Sequence, residues 1–166
     1  MTASTPRTPT RIALITGGSR GLGRSAALAL AADGVDVILT YVSNEASAQA
    51  VVSQIEAMGR RAVALQLDVG DSRAFDAFAR SLKAALSATW QRERFDFLVN
   101  NAGVGLHANF EDTTEAQFDM LYNVHLKGAY FLTQKLLPLI NDGGRIVNVS
   151  SGLTRFSMAG ASAYAG

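Results

Sequence analysis

Past the first ten residues, short β-branched and aliphatic runs alternate with longer stretches in which apolar positions recur every three or four residues. Five runs read as strands: RIALIT (Arg11 to Thr16), VDVILT (Val35 to Thr40), AVALQL (Ala62 to Leu67), FDFLVN (Phe95 to Asn100) and GRIVNVS (Gly144 to Ser150). The stretches between them carry helical period, over about Leu22–Ala32, Glu45–Met58, Ser72–Ala88 and Thr114–Leu137. The last opens on a capping-box pattern, Thr114-x-x-Gln117, and stops before Pro138. Strands alternating with helices predict an α/β fold with a doubly wound parallel sheet (Rossmann-like), here with five strands and four helices. Such sheets carry about six strands, so the series reads as cut short, with later elements missing. Residues 11–166 are expected to form this one domain, and residues 1–10, with their Thr, Ser and Pro, a disordered lead-in.

Composition narrows the classes. Hydrophobic residues make up 48 % of the 166, enough for a substantial core. Fifteen basic against fourteen acidic residues give a formal charge of +1, with no basic block to bind nucleic acid. There is no cysteine, which excludes a thiol nucleophile or a sulfur-ligated metal, and two histidines make a histidine-based metal site improbable. The longest apolar run, Ala26 to Ala32, is far too short for a membrane span. A cytoplasmic protein fits these features.

The first strand runs directly into TGGSRGLG, Thr16 to Gly23, and then into an alanine-rich helix. Glycines there allow positive φ and close approach of backbone to ligand, while the helix N-terminus offers free N–H groups to a pyrophosphate. Thr16, Gly17, Ser19, Arg20, Gly21, Leu22 and Gly23 are therefore candidate cofactor residues. A P-loop would require Lys after the last glycine, where Arg24 stands. An acidic residue at the end of the second strand would bond a ribose 2′-hydroxyl and select NAD. Tyr41 occupies that place, and Arg20 is available to pair with a 2′-phosphate, so NADPH is the expected cofactor in preference to NADH. Asp36 lies too early and reads as a polar residue at the start of its strand.

TGGSRGLG, NNAG (Asn100 to Gly103) and the spaced pair Ser151 and Tyr164 together resemble a short-chain dehydrogenase/reductase, of the kind typified by 3-oxoacyl-(acyl-carrier-protein) reductase. The resemblance covers nearly the whole chain from Arg11. It implies that Asp68 and Val69 contact the adenine, and that Asn100, Ala102 and Gly103 brace the sheet and line the cofactor cleft. It further implies that Ser151 binds a substrate carbonyl and that Tyr164, thirteen residues on, donates the proton as hydride reaches carbon. A small-molecule carbonyl or alcohol is then the substrate, and a homo-oligomer is the expected assembly of a complete chain.

Two departures stand out. In the family a lysine four residues after the tyrosine makes the phenol a competent acid, and that position falls two residues past Gly166; residues 1–166 alone are expected to be inactive, a cofactor-binding fragment or pseudoenzyme being the alternative to the reductase. Also, His125 stands where the family pattern places an asparagine before Leu126-Lys127-Gly128. At about 100° per residue, His125 falls on an apolar stripe with Phe118, Leu121, Tyr122, Ala129 and Leu132, so it is either a core histidine or a proton relay. His107, after the fourth strand, is a candidate for substrate contact. The apolar face around Phe131 and Leu132 is expected to be uncovered.

Overall fold

The structure, a computed structural model, describes residues 10–165; the proposed lead-in lies, except for Thr10, outside them. Its centre is a parallel sheet of β1 (Ile12–Ile15), β2 (Asp36–Tyr41), β3 (Ala62–Gln66), β4 (Phe95–Asn100) and β5 (Ile140–Asn148), in the order β3-β2-β1-β4-β5. Both faces are covered at its centre, which is why β1 and most of β2 are buried throughout rather than alternating, whereas the edge strand β5 is largely exposed. On one face, Ile15, Val37 and Leu39 pack against α1 (Gly21–Ala32) and α2 (Glu45–Ala57). On the other, Ile12, Leu14 and Leu98 pack against α3 (Phe75–Trp90) and the helical stretch between β4 and β5.

That last stretch corrects the expected single helix. It consists of α4 (Glu115–Tyr122), a π-helical segment (Asn123–Gly128) and α5 (Ala129–Leu136). The capping box forms, with Gln117 N donating to Thr114 Oγ1 at 3.3 Å and Thr114 N to Gln117 Oε1 at 3.0 Å. Across the π segment i→i+5 bonding widens the turn, and a fixed 100° step no longer assigns faces. Val124 packs on the core and Gly128 is buried, while His125 is exposed toward the cleft described below. Phe118 and Tyr122, placed on the inward stripe by periodicity, are half exposed and stack on each other with ring centroids 6.4 Å apart. Leu132, expected to be uncovered, is fully buried; Phe131 beside it is exposed.

β5 begins at Ile140, before the expected Gly144, because its first residues pair with β4 across an irregular register at Phe95 and Phe97. Beyond it, Ser162–Ala165 form a short helical turn, α6, which carries Tyr164. No helix among the described residues is long and apolar enough to cross a membrane.

Candidate functional site

The strand order changes direction between β1 and β4, and the carboxyl ends of strands at such a switch point are where open α/β sheets bind ligands. A cleft of about 850 Å³ lies there. It is lined by Gly17, Ser19, Arg20, Gly21, Leu22 and Gly23 from the glycine loop, and by Tyr41, Asp68 and Val69 beyond β2 and β3. Ala102, Gly103, His125, Ser151 and Tyr164 complete the set of expected residues that meet in it.

The glycine loop is built as a cradle. Gly17 and Gly21 hold φ of 65° and 55°, in the left-handed region that only glycine adopts freely. A Cβ on Gly23 would run into Gly17 O and Asn101 Nδ2, so α1 starts hard against the strand exit. Arg20, the N-cap of α1, makes no side-chain cap bond, and the first turn holds no acidic residue. The N–H groups at this helix start therefore remain available to an anion, as a pyrophosphate requires.

Thr16 and Asn100 sit behind the cleft. Both are buried and line a neighbouring hollow of about 580 Å³. Thr16 Oγ1 accepts from Asn101 N and Ala102 N, each at 3.0 Å, which clamps the NNAG turn to the end of β1. Asn100 Nδ2 donates to Asn148 Oδ1 at 2.8 Å and to Thr133 Oγ1 at 3.0 Å, tying β4 to β5 and α5. Asn101, which the sequence reading passed over, donates from Nδ2 to Thr16 O at 2.9 Å and Gly17 O at 3.3 Å. Ser43, Asn44 and Ser47, at the start of α2, also line the cleft unforeseen; the Asn44 side chain caps that helix by accepting from Ser47 N at 2.9 Å. The signal for them was an Asn ahead of a helical stretch, three residues after Tyr41.

Arg20 is the one Arg or Lys among the residues lining the cleft; Arg24 instead donates to Gln54 Oε1 at 2.9 Å. Partial burial, reinforced by the adjacent Glu45 carboxylate, holds the Tyr41 phenol above the ordinary tyrosine range. Tyr41 thus keeps its proton at neutral pH and can donate it in a hydrogen bond.

At the other end of the cleft, Ser151 caps the short turn Gly152–Thr154, its Oγ accepting from Leu153 N at 3.3 Å. A hydroxyl used this way still has its own hydrogen to donate. Tyr164 meets His125 edge-on, with ring centroids 5.3 Å apart and an interplanar angle of 87°. His125 Nε2 sits against the Val104 backbone, 2.7 Å from Val104 O and 3.3 Å from Val104 N. A Cβ on Gly103 would sit 2.9 Å from the His125 ring, so the NNAG glycine gives the imidazole its place. Asn123 and His107 line neither hollow. Among the described residues no cluster of His, Asp or Glu could hold a metal ion.

The sheet order and the glycine cradle at its switch point define a doubly wound, Rossmann-like α/β domain. The model of the short chain dehydrogenase family matches residues 11–166, and the chain belongs to that family. An uncharacterized oxidoreductase of Methylorubrum extorquens is 38 % identical over 156 residues, covering 94 % of this chain and 60 % of the relative. The crystal structure of the angucycline C-6 ketoreductase LanV with bound NADP superimposes with a TM-score of 0.90 at 36 % identity, covering 95 % of this chain and 62 % of that one. A short chain dehydrogenase from Burkholderia cenocepacia in complex with NADP gives 0.84 at 41 % identity, with coverage of 95 % and 62 %. The chain thus spans about 60 % of the length of the relatives it matches.

Proposed function

We propose that the protein is an NADPH-dependent oxidoreductase acting on a small-molecule carbonyl or alcohol. The observation that carries this reading is that one cleft holds the anion-ready glycine loop with its Arg20, a tyrosine, Tyr41, where an acidic residue would select NAD, and the pair Ser151 and Tyr164. Gly17 and Gly21 to Gly23 would hold the pyrophosphate, and Arg20, with Tyr41, Ser43 and Ser47, the 2′-phosphate. When bound, NADPH supplies a hydride. Ser151 donates a hydrogen bond to the carbonyl oxygen, and Tyr164 transfers its hydroxyl proton to that oxygen. His125, held against the Val104 backbone, packs against the Tyr164 ring. A cytoplasmic setting and a homo-oligomer belong to the same reading; the exposed pair Phe118 and Tyr122, with Tyr130 and Phe131, offers an aromatic surface for association.

The test is NADPH binding by titration calorimetry, followed by consumption of NADPH with a panel of ketones and aldehydes. Saturable binding with carbonyl-dependent oxidation supports the reading; binding without oxidation favours a cofactor-binding module, and no binding overturns both. Cofactor choice is tested separately. A charge-assisted bond to a phosphate contributes about 1.5–3 kcal/mol, so Arg20→Ala is expected to raise the Kd for NADPH by roughly 10- to 100-fold and to leave that for NADH nearly unchanged. Equal losses for both cofactors would show that Arg20 does not read the 2′-phosphate.

A further inference from the structure

His107 lies outside the cleft, yet it touches the segment that delivers Tyr164. Its ring lies over Gly160, where a Cβ would come within 2.5 Å of Nε2 and 2.7 Å of Nδ1. The next residue adds a backbone bond, with Ala108 N donating to Gly160 O at 2.8 Å. Gly160 has φ of 73°, so this backbone already takes a conformation that side chains disfavour, and the imidazole fills the space left beside it. Ala161 follows, buried, and its carbonyl accepts from Ala165 N at 2.9 Å to close the turn that contains Tyr164.

The same loop after β4 also reaches the tyrosine ring itself, through His125. Val104 fixes His125, and His125 meets the Tyr164 ring. Residues 104–108 therefore reach Tyr164 twice, through the imidazole of His125 and through the Gly160 backbone under His107. A short turn of four residues has little stability of its own, and its orientation must come from such contacts.

We propose that His107 is a positioning residue for Tyr164: its imidazole seats Gly160, which sets where the Tyr164 turn begins and aims the phenol at the cleft. The inference rests on the proposed role of Tyr164, but its primary readout needs neither cofactor nor substrate. The chain has four tyrosines, and labelling with 3-fluorotyrosine gives four ¹⁹F signals, of which Tyr164→Phe identifies one. His107→Ala is expected to shift and broaden the Tyr164 signal while the other three stay in place. His107→Phe, which keeps a flat ring over Gly160, is expected to retain it. Gly160→Ala forces a methyl against the ring and should displace the Tyr164 signal as well, and adding His107→Ala should then produce less change than it does alone.

An unmoved Tyr164 signal in His107→Ala would overturn the proposal, as would movement of all four signals together, which marks general unfolding. So would strictly additive effects of the two substitutions, since the cycle isolates their direct contact. Where the wild-type protein turns over, His107→Ala should lower kcat by up to about 100-fold through misplacement of the phenol, with the KM for NADPH unchanged. Failure of turnover in the wild type would count against the reductase reading alone, because the ¹⁹F result stands without it.

Discussion

In a protein that carries the lysine expected four residues after the tyrosine, Tyr164→Phe is expected to lower carbonyl-dependent turnover by about 10²–10⁴-fold, the range for loss of a positioned general acid, with the affinity for NADPH unchanged. Phenylalanine keeps the ring, so the edge-on packing against His125 at 5.3 Å and the turn Ser162–Ala165 both persist. Only the hydroxyl is lost. As the carbonyl carbon receives hydride, the π electron pair moves to oxygen, and that oxygen needs a proton at the same moment. Ser151 supplies a hydrogen bond, and its Oγ is itself engaged by Leu153 N. With the Tyr164 proton gone, the developing charge waits for water, which is neither oriented nor sufficiently acidic. Steady-state rates and cofactor titrations on the two proteins check this. A Phe variant retaining more than about a tenth of wild-type turnover would remove Tyr164 from the chemistry.

The parts of this site visible in the sequence were those fixed by local backbone demands. Gly17, Gly21 and Gly23 announce a turn with positive φ and a close helix start, and the strand before and helix after them place it. Thr114 and Gln117 announce a helix start that forms as written. The π segment had no such local signal. Gly128 is buried so tightly that a Cβ would strike Val69 O and come within 2.8 Å of Asn123 O, a contact made by the chain beyond β3. That tertiary fit, rather than any propensity in NVHLKG, allows the wide turn that sends His125 to the cleft. The start of β5 was missed for a related reason: Asn141 Nδ2 donates to Asp96 Oδ1 at 2.8 Å, an anchor 45 residues away in sequence. For His107, read as a candidate for substrate contact, nothing local shows that the ring lands on Gly160.

Asp36→Ala is expected to destabilise the fold by about 3 kcal/mol without weakening NADPH binding. Asp36 opens β2 at the end of the sheet opposite the cleft, and it is buried, with 1 % of its surface exposed. Three donors converge on its carboxylate: Trp90 Nε1 at 2.7 Å, Arg61 N at 3.0 Å and Arg61 Nε at 3.2 Å. Arg60 Nε adds a longer ion pair at 3.6 Å. The two arginine side chains can turn to water when the carboxylate is removed, so the loss there is modest. Trp90 cannot, because the indole is buried against the α3 side of the core. Its orphaned N–H carries the desolvation penalty of an unpaired buried donor, about 1–3 kcal/mol, and the lost backbone bond adds about 1 kcal/mol. For a domain of this size that total lowers Tm by roughly 6–12 °C, measurable by circular dichroism. Calorimetry on the same protein distinguishes this role from ribose recognition: a carboxylate that selected the cofactor would, on removal, change the Kd and leave Tm alone. The bonds of Asp36 are structural, whereas the other end of β2, at Tyr41, is where the strand meets the cleft and where the proposed function seats the cofactor.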